Sequence, residues 1–274
     1  MSISTRFAAA LVGVSAVSLA LTACAGTSAD ADAAPEEDLG TLVVGATAVP
    51  AGEILAFVQD NLAEEAGLDL EITEFSDYNT PNPALAQGAT DANLFQHAPF
   101  LDLFVTDSGD DLVSVGEVYL PPLALYSETV ASIDELPDGA EIALPNDASN
   151  ESRALLLLAD AGLIETTAEP TTIADITANP RGFEFTEIDA ASLPTALQQQ
   201  DAAIVNFSFA AAAGLSGDLQ ILTESTDSPY FNILATRGEL IDDPRIVTLY
   251  ELLTSVETQE WIIENYNGLV IPAE

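Results

Sequence analysis

The sequence predicts an α/β protein of two lobes with a cleft between them. Three observations lead there. Apolar, β-rich runs alternate with stretches of helical spacing, the pattern of βαβ units. The alternation comes in two series, joined by extended stretches. The chain opens with an export signature, which places this body outside the cytoplasm. No segment repeats another at a fixed period, and this argues against solenoids and propellers.

The first element is that leader. Arg6 precedes an apolar run from Phe7 to Leu21, too short for a comfortable permanent span, and small residues follow it. The run ends Leu21-Thr22-Ala23-Cys24, which resembles the bacterial lipobox. The expectation is a signal peptide over 1–23, cleaved before a lipidated Cys24, with the acyl chains holding the protein at a membrane. Residues 24–40 then form an acidic tether: AGTSADADAAPEEDLG after the cysteine is small, charged and without apolar periodicity.

The folded body begins at Thr41. Thr41–Thr47 reads as a buried strand, Glu53–Glu65 as a helix (Ile54, Phe57, Val58, Leu62), and Leu68–Phe75 as a second, alternating strand. Pro83–Gln87 and Phe100–Val105 predict short helices around a strand at Asp91–Phe95. Leu112–Leu125 is extended and interrupted by Pro121 and Pro122. A second series has strands at Glu141–Leu144, Phe183–Ile188 and Ala202–Val205, with helices over Glu151–Ala161 and Leu193–Gln199. Tyr230–Thr236 is extended, and Arg245–Tyr266 is one helix with its apolar face at Ile246, Leu249, Leu252, Leu253 and Trp261. Lobe I is expected over 41–122 plus 233–274 and lobe II over 123–232, with hinge crossings near Leu123 and Asn232.

Composition bounds the chemistry. The chain has 274 residues, with 5 Lys+Arg against 45 Asp+Glu, a formal charge of −40 and a pI near 4.1. Every one of the five cations is arginine. Removing Arg6 with the leader makes the charge 4 − 45 = −41. Nucleic acid is excluded, because phosphate binding needs clustered cations. At 48% hydrophobic the chain can bury a sizeable core. The lone cysteine rules out an internal disulfide and any zinc site built on paired thiolates. There is no phosphate loop, serine elbow or zinc-protease helix, so no motif for catalysis, metal or cofactor is present. Self-repulsion on this scale predicts a monomer stabilised by salt.

The loops between these elements carry the most specific signal. Phe75-Ser-Asp-Tyr78, Pro81-Asn82, Asp91-Ala-Asn-Leu-Phe-Gln-His97, Pro145-Asn-Asp147 with Asn150, and Arg153-Ala-Leu-Leu-Leu-Leu158 occur in order, followed by Ala203-Ile-Val-Asn206, Ala213-Gly-Leu215 and Ser228-Pro-Tyr230 with Asn232. From about Thr41 to the C-terminus this resembles the NlpA/MetQ family, the substrate-binding lipoproteins of methionine ABC transporters. The resemblance implies a periplasmic-binding-protein-like fold of type II, and a ligand that is L-methionine or a related small zwitterion. It also implies delivery to an ABC permease with a separate ATPase subunit. By the same resemblance Tyr78, Phe95, His97 and Phe100 belong to the ligand pocket, and Asn150, Asn206 and Asn232 contact the amino-acid backbone of the ligand. Two departures stand out. Phe100 replaces a tyrosine common in the family, and Phe207-Ser208 follows Asn206 where a second Asn or Thr is frequent.

Arg153 has its own physical argument. On so acidic a chain a carboxylate ligand is repelled at long range, and its binding requires a local cation of suitable geometry. Arg153 falls in the first turn of the expected helix, where free N–H groups also favour an anion. The competing reading is a salt bridge to a nearby carboxylate such as Glu151. Asn150 competes with a helix-cap role, and Phe100 with a core role. The wider alternatives are another amino acid, a short methionine-containing peptide, or a surface lipoprotein that binds a protein partner.

Overall fold

The computed structural model describes residues 38–274. The leader, Cys24 and nearly all of the expected tether lie outside the described residues. In chain order the strands are β1 (Gly40–Thr47), β2 (Leu68–Phe75), β3 (Ala92–His97), β4 (Leu112–Leu120), β5 (Leu123–Tyr126), β6 (Glu141–Pro145), β7 (Glu165–Thr166), β8 (Ile176–Ala178), β9 (Glu184–Ile188), β10 (Ala202–Asn206), β11 (Gln220–Thr223), β12 (Asn232–Arg237) and β13 (Ile271–Pro272). They form a six-stranded sheet in the order β13-β4-β12-β3-β1-β2, a five-stranded sheet in the order β11-β5-β10-β6-β9, and a small β7-β8 pair.

Most inner strands are continuous apolar runs because both of their faces are buried. In the first sheet Leu42, Val44, Ala46 and Leu234 face one core, while Ile233 and Ala235 turn to the other beside Leu85 and Leu101. In the second, Leu123, Leu125, Ile142, Leu144 and Ile204 pack on one side, with Ala124, Tyr126, Ala143, Ala203 and Val205 on the other. Each fully buried Leu, Ile or Val side chain among them contributes about 1.5–3 kcal/mol.

The helices are α1 (Glu53–Val58), α2 (Pro81–Ala86), α3 (Ala98–Ser108), α4 (Ala148–Asp160), α5 (Leu193–Ala196), α6 (Phe207–Ala212), α7 (Pro244–Leu253) and α8 (Val256–Asn265). Wider turns carry α1 on through Gln59–Ala63. Three differences from the sequence reading have physical causes. The expected helix Arg245–Tyr266 is two helices, because Ser255 caps a new start by accepting from Thr258 N. Helix α4 begins before Glu151, since the Asp147 side chain accepts from Asn150 N and starts the helix three residues earlier. The sheets are only partly parallel. β1 runs parallel to β2 and β3, but β12 returns from the other sheet antiparallel to both β3 and β4.

The chain passes between the sheets at Pro121-Pro122, from β4 to β5, and again from β11 to β12. A further contact ties the two together. Helix α6 follows β10 of the five-stranded sheet, yet Phe207 packs in the core of the six-stranded one, edge-on to Tyr266 with ring centroids 5.9 Å apart.

All four arginines of the described residues are clamped. Arg181 donates to the carbonyls of Ile133 (3.0 Å) and Leu136, and pairs with Asp138. Arg237 donates to Leu85 O (3.0 Å) and Thr90 O (2.6 Å) and pairs with Asp91. Arg245 donates to Thr41 O (2.7 Å) and pairs with Asp243. Arg153 belongs to the site.

Candidate functional site

The ends of β3 and β10 and the start of β12 converge at the junction of the sheets. There the last residues of parallel strands meet helix starts, the usual position for a ligand in open α/β sheets. A narrow cavity lies at this point, bordered by Tyr78, Phe95, Gln96, His97, Phe100, Pro121, Pro122, Asn150, Arg153, Asn206, Phe207, Ser208 and Asn232. All eight expected pocket residues therefore border one cavity, although they come from separate segments between Tyr78 and Asn232.

A chain of directed hydrogen bonds fixes its polar side. The Asp147 carboxylate accepts both from Asn150 N (2.8 Å) and from Asn150 Nδ2 (3.0 and 3.1 Å). This turns the amide so that its Oδ1 accepts from Asn206 Nδ2 at 2.7 Å and meets His97 Nε2 at 3.3 Å. Asp147, and not Asn150, thus performs the capping role. His97 Nδ1 accepts from Phe100 N (3.3 Å), so Nε2 carries the proton and donates to Asn150. Burial, with Arg153 nearby, lowers the His97 pKa to about 3, so this ring is neutral at any ordinary pH. Asn206 Oδ1 is left buried without a donor among the described residues. Such an acceptor is costly unless something fills its need. Asn232 donates from Nδ2 to Tyr119 Oη at 3.0 Å.

Arg153 stands in the second turn of α4 and is 3% exposed. This corrects the expected first-turn, helix-start position. It is salt-bridged, but to Glu224 rather than Glu151. Nε donates to Glu224 Oε1 at 2.9 Å and Nη2 donates to Glu224 Oε2 and to Pro121 O (3.0 Å). Its guanidinium carbon lies 4.6 Å from the centre of the Tyr230 ring, a cation–π stack. Glu151 instead accepts from Ile173 N at 2.7 Å, and burial together with Glu187 raises its pKa. The paired edge of the Arg153 fork is therefore already occupied, and Nη1 is the one guanidinium nitrogen with no acceptor among the described residues.

The opposite side is aromatic. Phe95, Phe100 and Tyr78 stand 5.9–6.0 Å apart, centre to centre, with Phe95 and Phe100 crossed at 81°. Tyr78 bridges the two sheets through a hydrogen bond between its Oη and Ser208 Oγ, and burial pushes its phenol above the usual range. The adjacent Asn79 reaches Asp189 at 3.3 Å. Behind the rings, Asn82 and Gln96 exchange amide hydrogen bonds of 2.6 and 2.8 Å, and Asn93 adds one of 3.4 Å to Asn82. Gly45 of β1 makes room for Asn93, since any Cβ there would collide with its amide and with the Phe75 ring.

The NlpA lipoprotein model matches residues 42–274. The chain belongs to the NlpA lipoprotein family. It is 38% identical to outer membrane lipoprotein 2 of Mannheimia haemolytica, over 95% of this chain and 97% of that one. It is 36% identical to the D-methionine-binding lipoprotein MetQ of Salmonella typhi, over 94% and 95%. A Burkholderia cenocepacia nutrient binding protein solved with methionine bound superposes with a TM-score of 0.82 at 40% identity, covering 85% of this chain and all of that one. The fold of this NlpA-family chain is the two-lobed substrate-binding fold of those neighbours.

For this NlpA-family member, sequence reasoning missed Glu224, Pro121, Pro122 and Tyr119. Glu224 follows a weak four-residue strand, 71 residues from Arg153, and no local pattern marks it. Phe207 and Ser208 read only as a departure from the family pattern, and both border the cavity. Among the described residues no group of three or more His, Cys, Asp or Glu side chains is placed to hold a metal ion, and no helix is long and apolar enough to cross a membrane.

Proposed function

We propose that the cavity binds methionine as its zwitterion, and that the protein is a non-enzymatic, lipid-anchored receptor on the extracytoplasmic face of the cell membrane. It delivers the amino acid to an ABC permease driven by a separate ATPase subunit. One observation carries the reading: a guanidinium N–H without an acceptor and a buried amide oxygen without a donor border the same cavity as a cluster of aromatic rings. A carboxylate suits the first, an ammonium the second, and a thioether gains about 0.3–1.5 kcal/mol for each sulfur–aromatic contact. The relatives' methionine-binding names and the methionine-bound neighbour support the same ligand.

In this reading 1–23 is the signal peptide, Cys24 bears the lipid, and 24–40 is the tether. The lobes are 41–122 plus 233–274 and 123–232, and closure on the ligand is what the permease recognises. Titration calorimetry with purified protein freed of copurified ligand, against L-methionine, D-methionine, methionine sulfoxide, cysteine and glycyl-methionine, tests it. Saturable heat with methionine, stronger than with cysteine, is expected. Absence of heat with every one of them would overturn the reading and favour a protein-binding surface lipoprotein.

A further inference from the structure

We propose that Glu224 is a specificity-determining residue, which cancels the charge of Arg153 so that the cavity admits a net-neutral zwitterion and rejects simple carboxylate anions. The inference rests on the reading above and deepens it. Its basis is the arrangement behind Arg153. Glu224 does not border the central cavity but lies in the wall of the groove behind the guanidinium, so it acts on a ligand through Arg153 and through its field. Its own position is fixed three times over. Ser228 Oγ donates to Oε1 at 3.1 Å, Leu123 N donates to Oε2 at 3.4 Å, and the Glu224 backbone N–H bonds Leu123 O at 2.9 Å.

A bare arginine in a buried cavity would favour any small carboxylate. Paired with Glu224 it presents only the Nη1 amino group and almost no net charge. The ligand must then bring its own counter-charge, and Asn206 Oδ1 offers the ammonium its acceptor. Removing the negative charge behind the arginine leaves the cavity positive. At an effective dielectric constant near 20, a unit charge about 6 Å from a charged ligand group changes affinity by roughly a hundredfold. The change has opposite sign for an anion and a cation.

The test uses three probes, each measured by competition against labelled methionine: methionine, its desamino acid, which lacks the ammonium, and methionine amide, which lacks the carboxylate. For E224Q relative to the parent, the desamino acid should gain and the amide should lose. The ratio of their affinities should move by at least tenfold. E224D keeps the charge and should keep the parent's ranking. If E224Q weakens all three probes in parallel, or the ratio shifts by less than tenfold, Glu224 is only a structural partner and the proposal is overturned. A parent protein that binds no methionine would instead sink the functional reading on which the proposal rests.

Discussion

Arg153 answers to two partners, and its substitution should report both. Had its whole fork been available to a ligand carboxylate, its loss would cost about 2–5 kcal/mol of binding. With Nε and Nη2 engaged by Glu224 and Pro121, the ligand finds Nη1, so the cost should be nearer that of one charged hydrogen bond. That is about 1.5–3 kcal/mol, or roughly ten- to a hundredfold in affinity. R153A also strands a largely buried carboxylate at Glu224, an effect of about 3–5 kcal/mol on stability. A melting curve should therefore fall with the affinity, and adding Glu224→Gln to R153A should recover part of the melting temperature. An R153A protein as stable as its parent would show that the ion pair contributes nothing. Residue type made Arg153 stand out in the sequence, although its place on the helix was misread by a turn. Its partner did not, because pairing across 71 residues depends on how two strands meet.

At the scale of elements, the longer strands and most helices follow from apolar periodicity, short pieces such as β7, β8, β11, β13 and α6 are too brief to show a period, and the misplaced helix boundaries fall where a single side chain sets them. Asp147 and Ser255 are such residues. Each captures a backbone N–H three residues on, which periodicity alone does not reveal. The amide pair between α2 and β3 was equally hidden, since Asn82 and Gln96 look like ordinary polar residues until both prove buried. N82A would leave both polar atoms of the Gln96 amide without partners, at about 1–3 kcal/mol for each unsatisfied group. A clear drop in melting temperature is expected, together with weaker methionine binding, because Gln96 sits between Phe95 and His97. If N82A melts with the parent, water replaces the lost amide and the pair is not structural.

For the whole molecule, charge dominates. About forty unbalanced carboxylates repel one another, and the Debye length falls from about 10 Å at 0.1 M salt to about 3 Å at 1 M. The melting temperature in chloride should rise across that range, and a flat or falling curve would remove the argument. Against such a field the site is locally balanced, with its arginine neutralised by Glu224 and its histidine uncharged. Composition made the global charge legible. The local neutrality emerges only from the fold.

The four clamped arginines also govern digestion. A trypsin-like protease must draw out a cationic side chain and the backbone around it, and the body offers no lysine as a substitute. Arg153 is almost wholly buried, and Arg181, Arg237 and Arg245 are only 18–25% exposed, each with its guanidinium spent on carbonyl oxygens. The folded body should resist cleavage until it opens, so tryptic fragments ending at these positions would appear at the rate of unfolding and serve as its clock. Rapid cutting at Arg181 in the native protein would show that this clamp breathes independently of the rest.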